Sequence, residues 1–314
     1  MNLDFETPVT EIETQLVELK AVADPDAAVK ARIADLEKQR EAVLKALYAA
    51  LTPWQTVQVA RHPERPMLRD FIAGLTTEFI ELHGDRLFGD DQGIIGGFAT
   101  LKNQQRVMLL GHQKGKNIDE NLRCNFGMAR PEGYRKALRL MKLAEKYGLP
   151  VLSFIDTPGA FPGADAEERG QAEAIARNMM EMVVLKTPIV VLITGEGGSG
   201  GAIGIGVSDT ILMLQYAVYS VISPEGCASI LWRDGSKAPE AANALKITAP
   251  SLKQLKVIDE IIAEPLGGAQ RDYQATMLSV SNVLAKTVKN LVGVSASKLV
   301  SRRYDKFAAM GRAR

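Results

Sequence analysis

Histidine and cysteine, which carry much of nucleophilic and metal chemistry, are scarce in this chain: three of one and two of the other among 314 residues. Cys124 and Cys227 stand far apart and form no C-x-x-C pair, which argues against a thiolate zinc site and fits the reduced thiols of a cytosolic protein. An excess of charge of one sign is also lacking. The 38 Lys and Arg nearly cancel the 37 Asp and Glu, so no overall field points to nucleic acid or an anionic membrane. No apolar run approaches the length of a membrane span. The acidic first six residues lack the apolar core of a signal peptide, and a cytoplasmic location is expected. With 46% apolar residues, the chain has the composition of a soluble globular protein, long enough for one large domain and an extension.

Glycine is where the chain is rich. An apolar β-branched run, residues 189–194, ends in five glycines within seven positions, 195–201, and a small-residue helix start follows at Ala202, Ile203 and Gly204. A strand that turns through glycine into a helix aims several backbone N–H groups at one spot, with the helix dipole behind them. Such a spot suits a phosphate or a developing oxyanion. Gly195, Gly197 and Gly200 spell G-x-G-x-x-G, the dinucleotide fingerprint, which also wants an acidic residue about 20 positions on. The next strand, 211–214, is followed by Gln215, Tyr216 and Ala217, so the acid is missing. Residues 197–201 also spell G-x-S-x-G, a nucleophile elbow that needs a histidine after Ser199. His62, His83 and His112 all precede it. A third reading is an oxyanion hole made by the Gly200 and Gly201 amides, with no side-chain nucleophile. A fourth is glycine used only to pack a helix closely on a sheet.

Around this motif the pattern is helical at both ends and alternating between. Val9, Ile12, Leu16 and Leu19, then Ile33, Leu36, Val43, Leu44 and Leu47, predict a helical hairpin over 1–51. It is too narrow to fold alone, and either its own domain or another subunit must cover it. A connector at 61–66 leads to a helix expected from about Met67 to Leu82, then to strands near 94–101 and 107–111. Two strand-loop-helix units follow. The first pairs a strand at 151–155 with a helix through Arg177 and Leu185, opened by a capping box variant of Asp165 and Glu168. The second is the glycine motif itself. A strand at 218–222 precedes a helix with Ser223 as N-cap and Pro224 at its first position. Residues 251–314 read as mostly helical, with a main domain over 52–295 and a helical tail over 296–314. The alternation predicts an α/β protein, either an open doubly wound sheet or a spiral of β-β-α units.

Several segments taken together resemble the alpha subunit of the bacterial acetyl-CoA carboxylase carboxyltransferase. They are Gly-His-Gln-Lys-Gly at 111–115, Asn-Phe-Gly-Met at 125–128 running on to Ala137, Asp-Thr-Pro-Gly-Ala at 156–160, Glu-Glu-Arg-Gly-Gln at 167–171, the loop at 195–201, and Ile-Ser-Pro-Glu-Gly-Cys at 222–227 running on to Trp232. The likeness spans essentially the whole chain. It implies a crotonase-like (ClpP/crotonase) spiral with the N-terminal hairpin as an extension. It also implies transfer of a carboxyl group from carboxybiotin, carried on a separate biotin carboxyl carrier protein, to acetyl-CoA, giving malonyl-CoA for fatty acid synthesis. Such chemistry develops negative charge on the biotin ureido oxygen and on the thioester oxygen. It therefore needs two sets of donors but no histidine or paired carboxylate. By resemblance, Gly200 and Gly201 cradle the biotin oxyanion, and Gly197 and Gly198 line the same site. The thioester, most of the CoA and a zinc ribbon belong to a beta subunit in an α2β2 heterotetramer, and carbon dioxide fixation to a separate biotin carboxylase.

Other residues have weaker expectations. Gly159 and Gly163 follow a strand end, where ligands bind in α/β proteins, and either line the site or only shape a turn. Lys114 meets a CoA phosphate or is merely solvated. Arg135, Arg139, Lys142 and Lys146 share one helix face, expected to be wet. Glu225 offers a rival enzyme reading, a crotonase-like hydratase or isomerase, although dipole stabilisation at a helix start suits it better. A non-catalytic scaffold is the remaining alternative. Cys227 is expected in the core. Gln270 and Cys124 replace a His and an Arg common in the family, so no role for those groups carries over.

Overall fold

The computed structural model describes residues 3–311. The expected hairpin is α1 (Thr7–Lys20) and α2 (Ala27–Ala49), the second capped by Asp26, whose carboxylate accepts the Val29 amide at 2.8 Å. Its root is fixed by a small core of Leu3, Val9, Leu44, Tyr48, Val59 and Tyr216. The Tyr48 hydroxyl donates to Glu6, which in turn meets Arg271 at 3.1 Å. The hairpin thus packs on its own domain at this end. Next come α3 (Pro53–Ala60) and α4 (Leu68–Leu75).

The helix expected to reach Leu82 stops at Leu75, and Thr76–Glu81 forms β1. Alternating Thr77, Phe79 and Glu81 with Glu78 and Ile80 suits a pleated edge, and β1 pairs antiparallel with β2 (Ile94–Leu101). β3 (Arg106–His112) completes the antiparallel half. After α5 (Ile118–Arg123) and α6 (Pro131–Tyr147), the fully buried β4 (Val151–Thr157) begins the parallel half beside β3.

The capping box at Asp165 does not form. Gly163 holds the N-cap position of the short α7 (Ala164–Glu168), while the Asp165 carboxylate pairs with Arg130 at 2.8 Å and Arg169 at 3.3 Å. Gly170, at φ +84°, then breaks the chain before α8 (Gln171–Val184). β5 (Ile189–Gly198) runs four residues past the expected strand end and takes in three glycines of the motif, the last of them at its tip. α9 follows at once as Ser199–Ile203, one and a half turns in place of a longer helix, so its dipole adds little.

β6 (Thr210–Leu214) and β7 (Val218–Ser220) both pair with β5, β6 along its first half and β7 along Glu196–Gly198. The sheet therefore divides at the glycines. α10 (Pro224–Trp232) starts as expected, with the Ser223 hydroxyl accepting the Gly226 amide at 3.1 Å. α11 (Ala238–Leu245), α12 (Ala249–Gln254) and a further strand, β8 (Glu260–Ile262), follow. The chain ends in α13 (Tyr273–Val292) and α14 (Ala296–Ala309). The strand order is β1-β2-β3-β4-β5-β6-β8, with β7 on the upper part of β5. This mixed sheet, turning at β5, is the β-β-α spiral and not the open doubly wound sheet. Among the described residues no helix is long and apolar enough to cross a membrane.

Candidate active site

The loops after β4 and β5 lie backbone against backbone. A Cβ placed on Gly198 would stand 2.2 Å from the Pro158 carbonyl oxygen, and one on Gly201 would stand 2.5 Å from the Gly159 carbonyl carbon. Only hydrogen fits at these two positions. Thr157 pins the first loop, its hydroxyl donating to the Gly159 carbonyl at 2.6 Å. Gly197 lies against the Tyr219 ring, and Gly163 against Phe161 and Asp165 at the start of α7. By contrast, Gly159 has nothing within 4 Å of the Cβ position, and Gly200 has only Ile175 Cδ1 at 3.5 Å. At these two positions a Cβ would meet open space, although Gly159 itself is buried and Gly200 half-buried.

Gly200 and Gly201 occupy the first turn of α9, where no carbonyl four residues back is available inside the helix for their amides. Ser199, at the joint between β5 and α9, has φ +49°, a left-handed conformation that costs a non-glycine residue about 1–2 kcal/mol. The strained elbow is therefore real. Its serine has no imidazole to activate it: His112 is 1% exposed, and neither ring nitrogen completes a hydrogen bond. Burial, with Lys114 beside it, pushes His112 down to about 3, against a weak opposing influence of the Gly201 backbone. The ring is neutral at physiological pH.

Behind the glycines runs a chain of charges. The Lys114 ammonium donates to Asp156 at 2.6 Å and Glu196 at 3.3 Å, and Arg61 bridges Glu196 at 2.6 Å and Glu225 at 2.5 Å. The Glu196 amide also donates to Asp156, at 3.0 Å. Burial works against the charge on Lys114, yet the two carboxylates hold it above the usual lysine range. Glu196 is likewise drawn down by Lys114 and Arg61 despite its burial. Lys114 is thus not the solvated lysine of the alternative reading; its ammonium is enclosed by carboxylates. Glu225, held below the usual range by Arg61 against partial burial, is a carboxylate at neutral pH and not a poised general acid.

Asp156, Glu196 and Arg61 received no role from sequence. A signal existed: an acid embedded in a buried glycine strand must find a cation, and the connector held arginines to supply it. Arg65 shows the same logic, forking onto Glu264 at 2.6 and 2.8 Å and reaching the Thr194 carbonyl.

The basic face of α6 is only partly wet. Arg135 binds Asp85 at 2.8 Å and Glu132 at 3.0 Å, and Arg139 donates to the His83 and Gly84 carbonyls. Lys142 pairs with Glu181 at 2.7 Å. Cys227 and Cys124 are both buried and free. Among the described residues no group of three or more His, Cys, Asp or Glu is placed to hold a metal ion.

Solved structures with this fold include the transcarboxylase 12S core with methylmalonyl-coenzyme A bound, at TM-score 0.56 and 17% identity, covering 71% of this chain and 42% of that one. The Pseudomonas malonate decarboxylase hetero-tetramer in complex with coenzyme A matches at TM-score 0.59 and 15% identity, covering 76% and 94%. The beta subunit of P. aeruginosa geranyl-CoA carboxylase matches at 0.57 and 15%, covering 78% and 46%. At these identities the likeness concerns the fold, which is that of crotonase-like carboxyltransferases. Sequence relatives are far closer. The acetyl-coenzyme A carboxylase carboxyl transferase subunit alpha of Geobacter metallireducens is 54% identical over 310 residues, 99% of this chain and 97% of the relative. That of Paraburkholderia phymatum is 54% identical over 311 residues, 99% and 96%. The family model described as acetyl co-enzyme A carboxylase carboxyltransferase-like matches residues 2–311, and the chain belongs to that family.

Proposed function

We propose that this chain is the alpha half of a carboxyltransferase that moves a carboxyl group from carboxybiotin to acetyl-CoA, giving malonyl-CoA, in the first committed step of fatty acid biosynthesis. The observation that carries the reading is the pair of interlocked glycine loops with two neighbouring first-turn amides, that of the half-buried Gly200 beside open space and that of the buried Gly201 against the Gly159 backbone. Full-length membership of the family names the reaction.

The two amides fit a small planar group with an oxygen acceptor. The Gly201 amide, fixed by backbone packing, and the Gly200 amide in the same turn need no reorganisation to meet a developing negative charge, and no atom stands where a Gly159 side chain would be. When bound, carboxybiotin supplies the carboxyl group and, at its ureido nitrogen, a base for the acetyl methyl. The Gly200 and Gly201 amides hold the ureido oxygen and stabilise its charge. Gly197 and Gly198 shape the floor, and Gly159 and Gly163 the opposite wall. No histidine is required, which agrees with a His112 that stays neutral and buried.

The remaining donors, for the thioester oxygen and most of the CoA, come in this reading from a zinc-ribbon beta subunit in an α2β2 heterotetramer. A biotin carboxyl carrier protein and a biotin carboxylase complete the cytoplasmic system. Substituting Gly200→Ala tests the site: the methyl has room in the fold, yet stands in the open space beside the amide. Sizing should show the assembly with the beta subunit intact while kcat falls at least about tenfold, less than or comparable to loss of one oxyanion donor. An assembled variant with unchanged kcat contradicts the assignment.

A further inference from the structure

We propose that Lys114 and Asp156 are positioning residues, which hold the glycine loops of β4 and β5 at their working separation by balancing charge buried behind them. The inference deepens the carboxyltransferase reading and rests on it for its kinetic part only.

Four groups behind the loops are shielded from water: Lys114, Asp156, Glu196 and Arg61, with side chains 17%, 9%, 12% and 30% exposed. Two are cations and two are carboxylates, so these four are neutral, and Glu225, the fifth member of the chain on Arg61, is the most exposed at 42%. Each group comes from a different element: Lys114 after β3, Asp156 in β4, Glu196 in β5 and Arg61 at the end of α3. Asp156 is the hinge of the arrangement. Its Oδ1 accepts both the Lys114 ammonium and the Glu196 amide, and its carboxylate lies 2.5 Å from where a Cβ on Gly195 would stand. Lys114 therefore reaches the backbone of the β5 loop through one carboxylate and its side chain through another.

A second observation singles out Lys114. Asn125, Phe126 and Gly127 form a run of three left-handed residues, at φ +48°, +56° and +79°. A Cβ on Gly127 would stand 2.9 Å from Lys114 Cγ and 3.0 Å from the Asp156 carbonyl oxygen. Strain of this kind persists only where surrounding structure holds it in place. Here it closes a loop over the lysine stem at the point where β4 leaves the sheet. A lysine kept for a surface phosphate has no need of such a cover.

The charge count makes the idea testable. Lys114→Met leaves the buried set one charge negative, and adding Asp156→Asn returns it to neutral while keeping an acceptor for the Glu196 amide. Hydrogen exchange on the full-length chain should show amides 195–201 exchanging at least about tenfold faster in Lys114→Met, with the α1–α2 hairpin unchanged. The double variant should recover much of that protection. Asp156→Asn alone, which keeps the shape of the site, should loosen the same amides to a smaller extent. In the assembled complex, kcat should follow the same order while KM for the acyl-CoA stays within about twofold. Unchanged exchange at 195–201 in Lys114→Met, or a double variant no better than the single one, overturns the proposal. If Lys114→Met does not fold, the Asp156→Asn comparison decides alone, and unchanged exchange there overturns it. The exchange arm needs no turnover. A complex inactive in its native form would sink the carboxyltransferase reading while leaving this result legible.

Discussion

A methyl group added at Gly200 meets only Ile175 Cδ1, at 3.5 Å, whereas one added at Gly201 overlaps the Gly159 carbonyl carbon, at 2.5 Å. The same motif therefore holds glycines for two physical reasons, open approach and close backbone packing. Gly200→Ala should leave thermal unfolding unchanged or raise stability by up to about 1 kcal/mol, since alanine favours the helical turn. Gly201→Val must displace the backbone at Gly159 and Ala160 and should cost about 1–3 kcal/mol. Denaturant midpoints measure both. Sequence could point to Gly200 and Gly201, because their spacing after an apolar strand is visible. It could not assign the different reasons, because the Gly159 backbone arrives from another strand.

His112 yields a prediction about pH. Its folded value, about 3, lies below the ordinary 6.5, so between these limits the unfolded chain binds a proton that the folded chain refuses. Stability is then lost as pH falls through that window, by up to about 1.4 kcal/mol per unit, and no such loss occurs above 6.5. His112→Gln should flatten the acid limb of stability between pH 6.5 and 4 relative to the native chain. An unchanged slope would remove His112 from the account of acid unfolding.

At the scale of elements, α14 shows how a polar side chain can fasten a helix. Arg303 is fully buried and donates to Asp209 at 2.7 Å and to the Met182, Leu185 and Thr187 carbonyls at 2.7 to 2.9 Å. Two of these carbonyls lie at the end of α8, where the helix leaves acceptors unpaired. Arg303→Met strands Asp209 and should destabilise the chain by about 3–5 kcal/mol in chemical unfolding. Arg303→Lys should recover little, because an ammonium cannot reproduce the planar fork. A cost below about 1 kcal/mol for Arg303→Met would show that α14 is fastened by apolar contacts instead. Periodicity announced the helix but gave no sign of this anchor. The same limit explains the error at Thr76–Glu81. Helical spacing through Leu75 continues by chance into Phe79 and Leu82, and only the pairing partner Ala99 shows that the segment is a strand. At 165–170 the acidic residues imitate a cap, but Arg130 and Arg169 claim Asp165.

For the whole molecule, alternation of strand and helix was enough for the α/β class, and the loop motifs were enough for the spiral fold. Strand order was not legible, because it depends on β5 pairing with β6 along one half and β7 along the other. Nor was the charge chain, in which Arg61 meets Glu196 across 135 positions of sequence. The division of β5 places the glycine loops where β6 leaves β5 and β7 takes over. In the reading proposed above, a beta subunit supplies the remaining donors, so that activity is expected only of the assembly.

The most direct test is the reverse reaction: malonyl-CoA with biocytin, followed as release of acetyl-CoA, using this chain alone and mixed with a carboxyltransferase beta subunit. Turnover is expected in the mixture and almost none with either chain alone. A mixture shown by sizing to be assembled, yet unable to release acetyl-CoA, would contradict the carboxyltransferase reading.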